Sequence, residues 1–598
     1  MSRSSSRPAG HRLLPLLLVL VALLVTGCVS LPVSGPVQAG PSVPAGTDEA
    51  PYDFNPAGPP AGGSPVDIVD GFLLAMQATP QSTVVARQFL TPESRGNWSP
   101  DSGTLIYGSY TLAAESKAVT VRLADTARLD GRGEWLGKTP GKASLALHLR
   151  LVKVRGQWRI SDPPDALVIP RTHFETRFQQ YDLYFFDRSG QVLVPEPVYL
   201  PAGDQAPTLL VRGLLRGPDK ELEGATRTYI PPKTRLDDLS VPVSRQGVAT
   251  VSLSDPMLGL GADERQLALA QLGWTLAQVS GVDRMRILVH GSPLEVGGQG
   301  PEPSVDSWSQ YDPTVSWASH ELFGLRDGHV VALLDGAEHR LPGGLGPDAP
   351  PVRSIALDLA AQRLAAVTED GSTVLLARPQ QPGPPTAAAD QPAYTGGTDL
   401  LKPAWDLYGQ LWLLDRTAEG AVLTVLRGGT PAVVQAPGIS GRDVTSFSVS
   451  RDGTRLVAVL AGHGRRGDRM VMARVMRAPS GQVTSLTAAQ PVPVTSTPVR
   501  DILDVAWFSP TTLAVLASPD KGLCRVYLSR VDGSSGFVDS PTGAELFRGK
   551  AVRVVTAPAP GAPVYLQTPS LRLYALGSSG RWTDAGIRPG LISPTFVG

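Results

Sequence analysis

Apolar residues in the first third of the chain follow two different periods. Leucines at every second position of 145–151 alternate with small or polar residues, which is the period of a half-buried strand. Upstream, Ser64 and Pro65 suit the start of a helix, and apolar residues then recur at helical spacing. A helix followed by antiparallel strands, one of them over 104–112, predicts an α+β domain for residues 64–170. The apolar helix positions are Val69, Phe72, Leu73 and Met76.

A second α+β unit is predicted for residues 171–300. Strand-like stretches at 183–186 and 192–200 flank a short polar turn. The clearest helical pattern of the chain lies between Asp263 and Gly281, because its apolar residues share one face. The positions on that face are Leu269, Leu272, Leu276 and Val279.

From residue 311 to 598 the pattern predicts only short strands. The stretches 353–378, 445–475 and 502–533 each contain a strand, a polar turn, a strongly apolar strand and a third strand. A recurrence of about 45 residues is typical of a β-propeller, here with about six or seven blades. A pair of β-sandwiches is the alternative, and the terminal RPGLISPTFVG looks less regular than a closed blade. The predicted fold class is multidomain, with two α+β domains followed by an all-β propeller.

The N-terminal pattern predicts a lipoprotein signal peptide over residues 1–27. Its apolar run, 13–25, would span only about 20 Å as a helix, short of the ~30 Å hydrocarbon core of a bilayer. An apolar residue and two small residues then precede Cys28, which is the pattern of a bacterial lipobox. We expect cleavage before Cys28, followed by an S-diacylglyceryl group and an N-acyl chain such as palmitate. An ordinary secretory signal with an incidental cysteine is the alternative. The lipobox residues are Val25, Thr26 and Gly27.

The charges around this signal predict on which side of the membrane the chain lies. Arg3, Arg7 and Arg12 precede the apolar run, and such a positive start stays in the cytoplasm. The mature chain is therefore expected on the extracytoplasmic face of the cell membrane. Residues 28–63 are rich in Pro, Gly, Ser and Ala without an apolar period, which predicts a flexible tether.

Composition argues against two features, the binding of nucleic acid and a framework of disulfides. The chain has 54 basic and 54 acidic residues, so it lacks the basic excess that binding to nucleic acid requires. Its two cysteines are too few for a disulfide framework. Cys524 lies in a strand-like stretch and is predicted to be a small buried hydrophobe.

Catalytic and cofactor signatures do not emerge from the sequence. The stretch GRGEWLGKT (131–139) fails the glycine spacing of a phosphate-binding loop, and no Gly-x-Ser-x-Gly motif occurs. The eight histidines are scattered, and none has Cys, Asp or Glu at metal-ligand spacing. We therefore predict no enzyme activity, no cofactor and no metal site. A lyase or glycosidase stays open, because paired carboxylates can come from distant segments.

Four stretches recur in this order in a known family. They are PVDIVDGFLLAM (65–76), LYFFDRSGQVLVPEPVYLP (183–201), LAQLGWTLAQVSGV (269–282) and LKPAWDLYGQLWLLDR (401–416). Together with the lipobox, the arrangement resembles the LpqB family of actinobacterial lipoproteins across essentially the whole chain. The middle unit is similar to the GerMN domain.

The resemblance implies a non-catalytic accessory lipoprotein of the MtrAB two-component system. Such a protein would act outside the membrane beside the sensor kinase MtrB and influence its signalling, with effects on cell-envelope homeostasis and division. Our own hypothesis is that the α+β pair contacts the extracytoplasmic domain of the kinase. Cys28, as the lipid attachment point, is the one functional residue that the resemblance transfers. The alternative is a lipoprotein that binds cell-wall glycan or a small ligand, without a kinase role.

Overall fold

The computed structural model places most of the chain after the predicted tether. It describes residues 53–139, 144–219, 224–294, 298, 300–334, 336–342, 345, 350–379, 392–462, 467–495, 499–520, 522–536 and 544–598. The predicted signal peptide, the lipobox (Val25, Thr26 and Gly27) and Cys28 lie outside the described residues. Within the described ranges no helix is both long and apolar enough to span a bilayer.

The N-terminal region packs helices against two four-stranded sheets. Helix α1 (Pro65–Ala75) begins where the sequence predicts, because Ser64 and Asp67 cap it reciprocally. Helix α2 (Pro92–Asn97) follows. The first sheet has the order β5 (Trp135–Lys138), β4 (Ala127–Asp130), β1 (Gly103–Tyr107), β8 (Leu167–Pro170). The second has the order β2 (Ser109–Ala114), β3 (Ala118–Ala124), β6 (Leu145–Val154), β7 (Gln157–Ile160).

The single strand predicted over 104–112 is wrong. Strands β1 and β2 belong to different sheets, and the chain passes between them at Gly108. A Cβ on Gly108 would lie 3.2 Å from the Cβ of Asp125, so the close approach favours glycine at this bend. Both halves are rich in β-forming residues, so local propensity did not reveal the change of sheet. The leucine alternation in β6 is confirmed as one face of a strand.

The second region is also α+β. After helix α3 (Arg171–Arg177), two three-stranded sheets pack against helices α4 (Ala206–Leu215) and α5 (Ala262–Leu276) in one apolar core. One sheet has the order β10 (Leu193–Pro201), β9 (Phe178–Asp187), β11 (Thr226–Arg227). The other has the order β12 (Val248–Leu253), β13 (Arg284–Val289), β14 (Ser292–Pro293), with β12 and β13 parallel.

The C-terminal region is all-β, which confirms the predicted class. Sheet 1 holds β15 (Leu322–Arg326), β16 (His329–Leu334), β17 (Ala337–Arg340) and β39 (Ile592–Thr595), and sheet 2 holds β18 (Val352–Leu357), β19 (Leu364–Thr368), β20 (Val374–Ala377) and β21 (Pro392–Tyr394). Sheet 3 holds β22 (Ala404–Trp405), β23 (Leu411–Thr417), β24 (Gly420–Arg427) and β25 (Thr430–Val434), and sheet 4 holds β26 (Val444–Val449), β27 (Arg455–Leu460), β28 (Arg469–Arg477), β29 (Val483–Leu486) and β30 (Gln490–Pro491). Sheet 5 holds β31 (Asp501–Ser509), β32 (Thr512–Asp520), β33 (Leu523–Arg530) and β34 (Phe547–Arg548), and sheet 6 holds β35 (Arg553–Val555), β36 (Tyr565–Gln567), β37 (Leu573–Leu576) and β38 (Trp582–Asp584).

Apolar clusters join these six sheets in sequence order, as in a propeller. Five clusters each lie between one sheet and the next, and a sixth brings Leu322 and Val331 of sheet 1 against Val555 and Leu573 of sheet 6. The terminal RPGLISPTFVG, which looked irregular, supplies β39, and β39 pairs with β15. The first and last parts of the region are thus joined both by strand pairing and by apolar packing.

Five short 3₁₀ segments complete the described elements, and all described residues belong to one compact unit. Cys524 is buried in β33, between sheets 5 and 6, which confirms its predicted role as a small buried hydrophobe. The 3₁₀ segments are Ala86–Phe89, Pro100–Ser102, Asp255–Gly259, Val305–Tyr311 and Ser534–Gly536.

Candidate functional site

The innermost strands of the propeller line a channel, which is the candidate site. A cavity of 240 Å³ is enclosed by strands of sheets 1, 3, 4, 5 and 6 and by the residues just before those strands. Four charged side chains lie in its wall: Lys402, Arg451, Asp504 and Arg553. Arg451 is buried, whereas the other three are only partly buried and are therefore accessible from the channel.

Lys402 precedes β22 and reaches across the channel to sheet 1. Its Nζ donates a hydrogen bond to Thr595 Oγ1 at 2.8 Å. Burial, together with the positive charge of Arg553 and against the opposing effect of Asp504, lowers the pKa of Lys402 from 10.5 to about 8. The ammonium group is thus held in a region that disfavours its charge.

Asp504 is satisfied by its neighbours. Ser446 Oγ donates to Asp504 Oδ1 at 2.9 Å, and the backbone N–H of Val554 donates to Oδ2 at 3.1 Å. Burial raises the pKa of Asp504, while Arg553 and the hydrogen bonds oppose the rise. These contacts tie sheets 4, 5 and 6 together around one carboxylate.

The two ends of the channel differ. Arg451, which follows β26, donates to the carbonyl oxygens of Thr314 at 3.2 Å and Val597 at 3.3 Å, and this end is therefore covered. Innermost strands of a propeller all run in the same direction, so strand starts lie at the opposite end. There, Leu503 and Val552 are 37% and 43% exposed. The channel is open on the face away from the second region.

A second group of charges joins the second region to the propeller, and we call it the interdomain ion cluster: Glu196, Arg455 and Arg474. Arg455 Nη2 lies 3.0 Å from Glu196 Oε1, and Arg474 Nη2 lies 2.7 Å from Oε2. Arg455 is fully buried and Glu196 is 4% exposed. The partners are 259 and 278 residues apart in the sequence.

Further polar contacts fasten the same interface. The hydroxyls of Tyr199 and Ser534 are 2.6 Å apart, and Arg530 Nη1 donates to Tyr199 Oη at 3.2 Å. Tyr408 of the propeller donates a hydrogen bond to Asp187 of β9. The second region and the propeller are thus held together over several blades.

Sequence reasoning missed all four channel charges. One signal was present: Lys402, Asp504 and Arg553 are each a charged residue near the start of the first apolar strand of a repeat. Among the described residues no group of three or more His, Cys, Asp or Glu side chains could hold a metal ion. The stretch 131–139 lies in and around the β4–β5 hairpin, and the next described element after it is strand β6.

Comparison with known proteins agrees with this architecture. Family models match at residues 58–175 (lipoprotein LpqB, N-terminal domain), 182–295 (sporulation and spore germination) and 328–540 (lipoprotein LpqB beta-propeller domain). The lipoprotein LpqB of Thermobifida fusca is 30% identical, covering 95% of this chain and 97% of its own length. That of Cutibacterium acnes is 27% identical, covering 86% and 88%. The first GerMN domain of the Bacillus subtilis sporulation protein GerM is 21% identical, covering 21% of this chain and 97% of that chain at a TM-score of 0.18.

Proposed function

The chain belongs to the LpqB family of lipoproteins, and from that premise we propose that it is a non-catalytic accessory regulator of a sensor kinase. It acts on the extracytoplasmic face of the cell membrane, beside the kinase of an MtrAB-type two-component system, in cell-envelope homeostasis and division. The observation that carries the proposal is the match to a named lipoprotein over 95% of the chain. The relatives are named as lipoproteins and not as enzymes, which favours a binding role.

Lipid on Cys28 is the proposed anchor. Each buried CH₂ of an acyl chain contributes about 0.8 kcal/mol to membrane binding, so a diacylglyceryl group and an N-acyl chain anchor stably. The predicted tether covers residues 28–63, and its last part is held by the first region, where Phe54 pairs with Thr79. The residues before Phe54 would keep the folded part close to the membrane-embedded kinase. Confinement raises the effective concentration at the kinase without any new contact.

The proposed contact with the kinase is made by the two α+β regions. A regulator of this kind shifts the kinase between its conformations by its difference in affinity for them, and by no more. The interdomain ion cluster supports transmission through a rigid body, since Glu196 of β10 is bonded to two propeller arginines. Binding of a ligand in the propeller can therefore affect the surface of the two α+β regions.

The test reconstitutes the lipidated protein and the kinase in the same nanodiscs and measures kinase autophosphorylation. We expect wild type to change the rate, and Cys28→Ala, which cannot take lipid, to need about 10²–10⁴ times more protein for the same change. Cys524→Ser is the matched control, because it alters the other cysteine and keeps the anchor. A rate that wild type leaves unchanged at every concentration contradicts the proposal.

Intact protein is required for this test. Removing residues 311–598 would expose Glu196 and Tyr199, which are buried against the propeller. A truncated protein could then lose binding because its surface is altered, and not because the propeller makes the contact.

A second candidate function is binding of cell-wall glycan or a small ligand without a kinase role. The channel favours it, since its cavity holds charged side chains that are accessible from the open end. Stabilisation of the protein by muropeptides, together with no effect on the kinase, would favour this second function.

A further inference from the structure

The propeller channel holds hydrogen-bond donors that the fold does not use. Lys402 carries three N–H donors. Among the described residues, the one hydrogen bond from Lys402 goes to Thr595. The guanidinium group of Arg553 makes no hydrogen bond to any described residue, although its charge acts on both Lys402 and Asp504. Unsatisfied cationic donors in a partly desolvated site are costly, and a bound anion would satisfy them.

The one acidic side chain of the channel wall does not fill that role. Both oxygens of Asp504 already accept hydrogen bonds, from Ser446 and from the backbone of Val554. Asp504 is therefore hydrogen-bonded to residues of sheets 4 and 6. The N–H donors of Lys402 and Arg553 that it does not accept remain available to a ligand. Lys402, Arg553 and Asp504 together carry two positive charges and one negative charge. This positive excess favours a negatively charged ligand.

We propose that the channel binds a small oxyanion, a carboxylate or phosphate group, held between Lys402 and Arg553. The cavity of 240 Å³ is smaller than the ~300–1,000 Å³ of pockets for drug-sized ligands, so it suits a small molecule. The hydroxyl of Ser448 also lines the channel and can donate to such a group. This site does not depend on the proposed kinase role.

The route into the channel is fixed by its two ends. Arg451 closes the end toward the second region through its bonds to Thr314 and Val597. The anion therefore enters past Leu503 and Val552, whose partly exposed apolar side chains can contact the carbon skeleton of the same ligand. A ligand with one anionic group and a short apolar part fits both features.

The experiment measures binding of radiolabelled inorganic phosphate to the whole lipoprotein in detergent, by equilibrium dialysis, with acetate as a competitor. We expect one saturable site. Lys402→Met and Arg553→Gln should each weaken binding about tenfold, because each removes a charge-assisted contact. Asp504→Asn should strengthen it severalfold, because it removes a nearby negative charge. Competition by acetate identifies a carboxylate site, and binding of phosphate without such competition identifies a phosphate site.

Controls make each outcome decisive. Lys153→Met, on an exposed position of β6, makes the same chemical change outside the channel and should leave binding unchanged. Where Lys402→Met fails to fold, as judged by circular dichroism, Arg553→Gln carries the test. The proposal is overturned if wild type binds neither anion saturably, or if both channel variants bind as wild type does. No kinase is present, so a failure here leaves the proposed function untouched.

Discussion

The channel and the interdomain ion cluster place buried charge in opposite ways. In the ion cluster, both oxygens of Glu196 lie within 3.0 Å of an arginine nitrogen. In the channel, Lys402 makes one hydrogen bond, and Arg553 makes none to the described residues. Paired charges at a buried interface hold two bodies in one orientation, whereas open donors facing a cavity remain available to a ligand. The difference assigns a structural role to the first group and a binding role to the second.

Removing the shared carboxylate of the ion cluster should have the largest effect. Glu196→Ala removes the nearer carboxylate partner of the fully buried Arg455 and leaves it only Asp452, at 3.6 Å; breaking a buried ion pair from one side costs about 3–5 kcal/mol. We expect this loss in the free energy of unfolding, measured by urea denaturation.

Glu302→Ala is the matched control for that change. Glu302 also contacts two arginines, Arg284 and Arg286, but this trio lies at the surface. Surface ion pairs contribute little, so the variant should unfold close to wild type. Equal losses in Glu196→Ala and Glu302→Ala would contradict the structural role of the ion cluster.

The seam between the first and second regions should show the next largest effect, as a pH dependence. There, Arg132 forms ion pairs with three carboxylates, those of Asp130, Glu134 and Asp219. Burial raises the pKa of Glu134 from 4.5 to about 7, against the attraction of Arg132. The carboxyl group of Glu134 therefore loses its proton at a lower pH in the unfolded chain than in the folded protein. The free energy of unfolding should fall by about 2–3 kcal/mol as pH rises from 4.5 to 7.

Glu134→Gln tests that expectation. The variant should flatten the fall in unfolding free energy between pH 4.5 and 7, measured by urea denaturation at several pH values. Because Asp182 also has a pKa raised to about 7 by burial, part of the slope should remain. A slope identical to that of wild type would show that Glu134 ionises normally in the folded protein.

Lys402→Met should stabilise the protein while it removes one of the channel's positive charges. Burial lowers the folded pKa of Lys402 to about 8, below the unfolded value of 10.5, so the charged form opposes folding. The removed charge penalty is about 2–3 kcal/mol, and the lost hydrogen bond to Thr595 offsets about 1 kcal/mol of it. The net gain of about 1–2 kcal/mol should be complete below pH 8 and fade as pH rises to 10.5. Thermal unfolding at pH 7 and pH 10.5 measures it. A variant less stable than wild type at pH 7 would give Lys402 a structural role, like that of Glu196.

An uncharged contact between blades gives the smallest expected change. Cys524 is 4% exposed between sheets 5 and 6, where it acts as a small hydrophobe. Cys524→Ala should lower the free energy of unfolding by about 1 kcal/mol, the scale of one buried methylene-sized group. Urea denaturation at a single pH is sufficient. A loss as large as that of Glu196→Ala would place blade packing, and not the ion cluster, first in holding the molecule together.

Local patterns predicted much of the fold. The cap at Ser64, the alternation in β6 and the repeat of strand, turn and apolar strand all depend on residues close in sequence, and the structure confirms them. The split at Gly108 and the pairing of the C-terminal β39 with β15 were missed. Both are decided by which distant segment lies alongside, and propensity does not contain that information.

The sequence by itself determined the classes of the three regions, the family resemblance and the predicted lipid anchor at Cys28, because each rests on a contiguous pattern or motif. Only the tertiary structure decided which charges meet. Glu196 finds Arg455 across 259 residues, and Lys402 finds Thr595 across 193. Coulomb and hydrogen-bond energies depend on distance and burial in space, so a binding channel and a structural ion pair look alike in the chain and differ only once it is folded.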